Sequence, residues 1–146
     1  MRIYIAAPLF NEMERLRNEY FKRELESIGF EVYLPQEKAG ISYDLISRGA
    51  QKEEVRRNIF QNDVSAVKSC DIMLCLLDGR VPDEGMCVEL GIAYALEKKC
   101  LGFKTDNRAM DKYGDNNIIL DGCLLSIYTD IESLKKDLFD FFNEKS

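Results

Sequence analysis

The chain contains no histidine and no tryptophan. Without imidazole, acid–base chemistry near neutral pH falls mainly to carboxylates, and the commonest zinc ligand is missing. Cys70, Cys75, Cys87, Cys100 and Cys123 form no C-x-x-C pair, their number is odd, and several lie inside apolar runs. They read as reduced core thiols, so no metal site is expected. Two phosphate cradles are absent, since neither G-x-x-x-x-G-K-[ST] nor G-x-G-x-x-G occurs. ATP hydrolysis and dinucleotide chemistry lose ground accordingly, and no cofactor is expected. Basic residues are outnumbered, 20 Lys+Arg against 26 Asp+Glu, for a net charge of −6. No basic stripe is left to neutralise phosphates, which argues against nucleic acid as a partner. No apolar run is long enough to cross a bilayer and no signal peptide precedes Met1-Arg2-Ile3-Tyr4, so a soluble, cytoplasmic protein without a membrane partner is expected.

What is present suits one packed domain over residues 1–146, with 46% apolar residues to fill a core. Arg2 to Ala6 is a nearly continuous apolar run and predicts a buried strand, broken at Ala7-Pro8. Glu12 to Ile28 predicts an amphipathic helix with Leu16, Tyr20, Leu25 and Ile28 among its apolar positions, closed by Gly29. Phe30 to Leu34 predicts a second strand. Residues 36 to 50 are polar and contain glycine, and read as a loop. Gln51 to Ser69 is helical, Asp71 to Leu77 a third strand, Glu84 to Lys98 a helix and Cys100 to Phe103 a fourth strand. A polar loop from Thr105 to Asp121 precedes a short strand, Leu124 to Tyr128. The last helix, Ile131 to Phe142, has Thr129-Asp130 as cap candidates. Strand–helix alternation of this kind predicts an α/β fold: a flavodoxin-like, doubly wound sheet of about five parallel strands with helices on both faces. Ligands in such sheets bind beyond the carboxyl ends of the strands, here Ala6 to Phe10, Leu34 to Gln36 and Leu77 to Glu89.

Carboxylates crowd at that end. On the helix from Gln51, Val55, Ile59, Phe60 and Val67 form an apolar stripe, and Asp63 projects near its centre. A carboxylate there must be hydrogen-bonded, paired or protonated, or it costs about several kcal/mol. It is either a placed acid or a residue turned to solvent by a small rotation of the helix. Glu89 flanks the stripe of Met86, Leu90 and Ala93, early in its helix, where the macrodipole favours an anion. That position suits a favourable early-helix Glu as well as a site residue. Asp83 by itself reads as a turn or cap residue. Tyr4, in the first strand, is ambiguous: alternation allows its ring in the core and its hydroxyl at a crevice wall.

The run Asp78-Gly79-Arg80-Val81-Pro82-Asp83-Glu84-Gly85, followed by Glu89-Leu90-Gly91, resembles the signature of the nucleoside 2-deoxyribosyltransferase family. Tyr4-Ile5-Ala6-Ala7-Pro8-Leu9-Phe10 is similar to that family's first strand and base-pocket loop. Asn62-Asp63 matches its second acidic position. The resemblance implies that Glu89 is the nucleophile that attacks the anomeric carbon of a 2′-deoxyribonucleoside, leaving a covalent deoxyribosyl ester. It implies that Asp63 exchanges a proton with the departing and incoming base, that Asp83 holds the sugar hydroxyls and that Tyr4 positions the nucleophile. Ala7, Pro8, Phe10, Gln36, Gly85 and Met86 fall against the substrate in the same comparison. The partners implied are small-molecule deoxynucleosides and free nucleobases, in a homo-oligomer with sites near subunit interfaces. A neighbouring subunit lends an asparagine in that family, from the region that here reads Lys112 to Ile118.

Two other readings stand beside this one. The 2′-deoxynucleoside 5′-monophosphate N-glycosidases share the Glu and the earlier Asp, but place a serine six residues before the Glu to receive the phosphate. Asp83 stands there in this chain, and a carboxylate repels a phosphate, so nucleosides are favoured. A non-catalytic flavodoxin-like module is the third reading. A receiver would want an acidic pair after the first strand, and Ala6-Ala7-Pro8 supplies none.

Overall fold

The computed structural model describes residues 1–106, 108 and 116–144. Its strands are β1 (Arg2–Ala6), β2 (Glu31–Tyr33), β3 (Ile72–Leu76), β4 (Lys99–Phe103) and β5 (Ser126–Tyr128). Its helices are α1 (Glu12–Glu26), α2 (Pro35–Ser47), α3 (Lys52–Ser69), α4 (Glu84–Ala95), α5 (Ile118–Cys123) and α6 (Ile131–Glu144). The sheet is ordered β2-β1-β3-β4-β5 and every pairing is parallel. That is the flavodoxin-like order expected from the alternation.

Period-two alternation in the strands divides the core in two. Ile3, Ile5, Ile72, Leu74 and Leu76 face α1 and α6, against Phe21, Leu25, Leu134 and Leu138. Tyr4, Ala6, Met73, Cys75 and Leu77 face the other way, against Ala66 and Val67 of α3 and Met86, Leu90 and Ala93 of α4. β3 is buried along its whole length, which explains its uninterrupted apolar sequence. All five cysteines are free; Cys70, Cys75 and Cys100 are buried. Among the described residues no helix is long and apolar enough to cross a membrane.

The segment read as a loop over residues 36–50 is mostly helix. Pro35 does stop β2, but it also opens α2 at the first turn, where its missing N–H is not needed. α2 has a weak apolar face, carries Gly40 and lacks a side-chain cap; packing against α3 holds it. The polar loop Thr105 to Asp121 likewise contains the start of α5, capped by Asn117, whose Oδ1 accepts the Ile119 N–H at 2.9 Å. In α1, Leu16 and Tyr20 are exposed, and Asn18 is buried beside Phe21 and Leu25. Asp130 caps α6 as expected, accepting from the Ser133 N–H at 2.8 Å.

Helices α2 and α4 end alike and differ in one residue. After α2, Gly49 takes φ +99°, with Gly49 N–H on Ile46 O and Ala50 N–H on Leu45 O. After α4 the same pair of bonds forms around Glu97 at φ +56°, with Glu97 N–H on Tyr94 O and Lys98 N–H on Ala93 O. A side chain in this left-handed conformation is disfavoured where glycine is not. Glu97→Gly is therefore expected to stabilise the fold by about 0.5–1 kcal/mol. A thermal melt should show the midpoint rising by roughly 1–4 °C; an equal or lower midpoint would show that the turn carries no such penalty.

Candidate active site

Three elements on one face of the sheet bring the predicted carboxylates together. β1 is an interior strand, and its third residue, Tyr4, is fully buried with its hydroxyl donating to Glu89 Oε1 at 2.7 Å. Glu89 lies on α4, one turn after the buried Met86 and one turn before the buried Ala93, and is itself half-buried. Asp63 lies on α3, one turn before the buried Ala66 and Val67, and is also half-buried. The helical spacing thus leaves each carboxylate at the margin of a core-facing stripe rather than inside it.

Tyr33 completes the arrangement and carries no motif that marks it. The register pairs it with Tyr4 across β1 and β2. Neighbouring parallel strands lie about 4.8 Å apart, so two aromatic side chains in register on one face must stack. Their ring centroids are 5.2 Å apart with an interplanar angle of 18°. The Tyr33 hydroxyl donates to Asp63 Oδ1 at 3.1 Å. Each carboxylate is therefore held by one member of a stacked tyrosine pair.

Electrostatics follow from this placement. Burial, with the negative charges of Asp63 and Asp83 adding to it, pushes the Glu89 carboxyl up to about 7, while the Tyr4 hydrogen bond works the other way. Burial also raises Asp63, opposed by the Tyr33 hydroxyl. Both phenols are driven well above the ordinary tyrosine range, first by burial and then by the carboxylates, so they remain donors. Two carboxyls with raised pKa at the end of a doubly wound sheet are suited to protonation chemistry at neutral pH.

Asp83 is the N-cap of α4: its Oδ2 accepts the Met86 N–H at 2.9 Å. Gly85 lies beside it, where a Cβ would come within 3.1 Å of Asp83 Oδ2. Met86 itself is buried under the first turn. The loop after β1 is pinned by α1: Phe10 N–H donates to Glu14 Oε2 at 2.8 Å, Arg15 Nη1 to Leu9 O at 3.1 Å and Asn18 Nδ2 to Pro8 O at 2.9 Å. Pro8 is buried, Ala7 is half-buried and Phe10 stands exposed. Gln36 is turned toward α1 rather than joining the carboxylates. Its Oε1 accepts from Asn18 Nδ2 at 2.9 Å and its Nε2 donates to Arg15 O at 3.0 Å. Asp78, at the end of β3, accepts from Thr105 N–H and Oγ1 and from Asp106 N–H, tying the ends of β3 and β4.

Of the asparagine region, Lys112 to Asp115 lies outside the described residues. Asn116 accepts from Lys104 Nζ at 2.7 Å and donates to Asp121 at 2.8 Å, while Asn117 caps α5. A cleft of about 730 Å³ opens at the opposite end of the sheet, between Tyr94, Lys99, Leu125 and Phe141. None of the candidate site residues lines it.

The parallel order of the sheet defines a fold class, and the comparisons with known proteins say which family the chain matches within it. The family model described as nucleoside 2-deoxyribosyltransferase matches residues 3–138. The chain belongs to the nucleoside 2-deoxyribosyltransferase family. A nucleoside deoxyribosyltransferase of Limosilactobacillus fermentum is 29% identical over 110 residues, covering 66% of this chain and 61% of that protein's length. Among solved structures, the 2-deoxyribosyltransferase of Bacillus psychrosaccharolyticus superposes with a TM-score of 0.73 at 24% identity, over 92% of this chain and 90% of its own. The CMP N-glycosidase of Clostridium botulinum superposes with a TM-score of 0.54 at 20% identity, over 100% of both chains. These superpositions agree with the doubly wound sheet.

Proposed function

We propose that this chain is an enzyme that cleaves the N-glycosidic bond of 2′-deoxynucleosides and passes the deoxyribosyl group to a second base or to water. The observation that carries the reading is the 2.7 Å bond from Tyr4 to Glu89 Oε1 in a half-buried position beside Asp63. With Oε1 held, Oε2 is the oxygen directed at the anomeric carbon. Positive charge builds on the sugar as the bond to the base lengthens, and the Glu89 anion stabilises it before bonding to it. The bonding electron pair leaves with the base, and Asp63 gives that base a proton. An incoming base then bonds to the anomeric carbon, Asp63 takes its proton, and the ester bond breaks to restore the Glu89 carboxylate. Water in place of the base gives hydrolysis by the same steps.

Asp83 sets the class of substrate. Its Oδ2 is engaged by Met86, which leaves Oδ1 to accept from a sugar hydroxyl. The CMP N-glycosidase of similar fold is named for action on a nucleotide. A carboxylate opposes a phosphate dianion at close range by about a few kcal/mol in a partly buried site. The expected result is a higher kcat/KM for deoxyinosine than for its 5′-monophosphate. Asp83→Ser should narrow that preference by about tenfold or more, because it removes a like charge, supplies a hydroxyl and keeps a good helix cap. A wild-type preference for the monophosphate would replace this reading with nucleotide hydrolysis. Cleavage of neither compound would return the non-catalytic reading. The same reading has the chain working as a homo-oligomer, and exposed Val81, Val88, Ile118 and Ile119 around α4 and α5 support it.

A further inference from the structure

We infer that Tyr33 is a positioning residue for the acid–base step, holding Asp63 Oδ1 so that Oδ2 alone exchanges a proton with the base. This inference rests on the role given to Asp63 above. Its own support is geometric. The hydroxyl of Tyr33 donates to Oδ1 at 3.1 Å, and among the described residues no other side chain forms a hydrogen bond with the Asp63 carboxyl. The Tyr33 ring is fixed from behind by its stack on Tyr4, 5.2 Å away at 18°. The stack is in turn fixed by strand register, which pairs Tyr4 with Tyr33. β2 is only three residues long and ends at Tyr33, immediately before Leu34-Pro35 and α2. The tyrosine is thus anchored by the sheet on one side and points along the crevice to the helix that carries the acid.

The consequence is a fixed relation between the two reacting carboxyls. Tyr4 and Tyr33 hold Glu89 and Asp63 through adjacent strands, so movement of one ring is resisted by the other. A phenol on Oδ1 also favours the Asp63 anion, which makes the acid stronger than burial alone would leave it. The ionisable groups around Asp63 and Glu89 are Tyr4 from β1, Tyr33 from β2, Asp83 at the cap of α4 and, toward Tyr33, Glu37 from α2.

The test compares two substrates on one protein sample, so the folded fraction cancels. Deoxyinosine needs a proton on its leaving base. In 7-methyl-2′-deoxyguanosine the base already carries positive charge and leaves without one. Tyr33→Phe keeps the stacked ring and removes the hydroxyl. Its kcat/KM for deoxyinosine should fall by about tenfold, with the methylated substrate changed less than about twofold. The alkaline limb of the deoxyinosine pH profile should move to higher pH, because Asp63 loses a donor that favours its anion. An equal loss on both substrates would mean that Tyr33 only supports the fold, and no loss on either would mean that it does nothing; both overturn the inference. Asp63→Asn separates the two levels of argument. A selective deoxyinosine defect in Asp63→Asn without one in Tyr33→Phe removes only the role of Tyr33. No selective defect in Asp63→Asn removes the acid itself, and Tyr33's role with it.

Discussion

Replacing Glu89 by glutamine is expected to remove base exchange, with a loss on the order of ten-thousand-fold or more in kcat/KM. The amide keeps an oxygen for the Tyr4 hydroxyl, so the hydrogen bond and the fold remain while the anion is gone. In the wild type, activity should rise with pH through the region near 7, because the attacking form is ionised and burial holds the carboxyl up to about 7. Release of the free base, followed by chromatography with and without a second base, measures the loss. A deoxyribosyl ester recovered on a peptide that lacks Glu89 would sink the assignment.

The same variant should be more stable at neutral pH. The folded state binds the Glu89 proton more tightly than the unfolded chain, whose carboxyl titrates near 4.5. That contribution is fully present below about 4.5 and is lost as pH rises through about 7. At higher pH the buried anion costs on the order of 3 kcal/mol at most. Melting temperatures of wild type and Glu89→Gln should therefore lie close together near pH 4.5 and diverge toward pH 8, the variant above. A constant gap across that range would contradict the burial of the charge.

Asp63→Asn carries the second large effect. Loss of a general acid lowers the rate by about a hundredfold to ten-thousandfold when the leaving base needs its proton. The amide preserves an acceptor for the Tyr33 hydroxyl, so the carboxyl's orientation is copied while its proton is not. Deoxyinosine cleavage should fall within that range, and the alkaline limb assigned to Asp63 should vanish from its pH profile. Because burial raises this carboxyl, the wild-type limb should sit above the ordinary aspartate range. A variant with wild-type rate and an unchanged profile would make Asp63 a structural residue of α3.

How far these features can be read in advance depends on how local each one is. Glu89 stood out as a carboxylate on the flank of an apolar helical stripe and Asp63 as one near the centre of such a stripe, patterns written within two turns of chain; the structure moves Asp63 to the margin of its stripe, where it is half-buried. Asp83 was marked by its place just after a proline and before a helix, and the sheet order by plain alternation of strand and helix. α2 was not legible. Pro35 and Gly40 look like breakers, and a weakly amphipathic helix is held by α3 rather than by its own residues.

Gln36 and Tyr33 mark the same limit inside the site. Both follow or end β2, and nothing around them in the chain says that one turns to α1 while the other meets Asp63. By itself, the sequence determined which carboxylates lie along the apolar stripes of α3 and α4 and the alternation that builds the sheet, because helical and strand periods are local. Only the tertiary structure decided that Tyr33 lies on Tyr4 and that each tyrosine holds a different carboxylate. Strand register joins residues far apart in the chain through backbone hydrogen bonds, and those bonds carry no trace of which side chains they bring together.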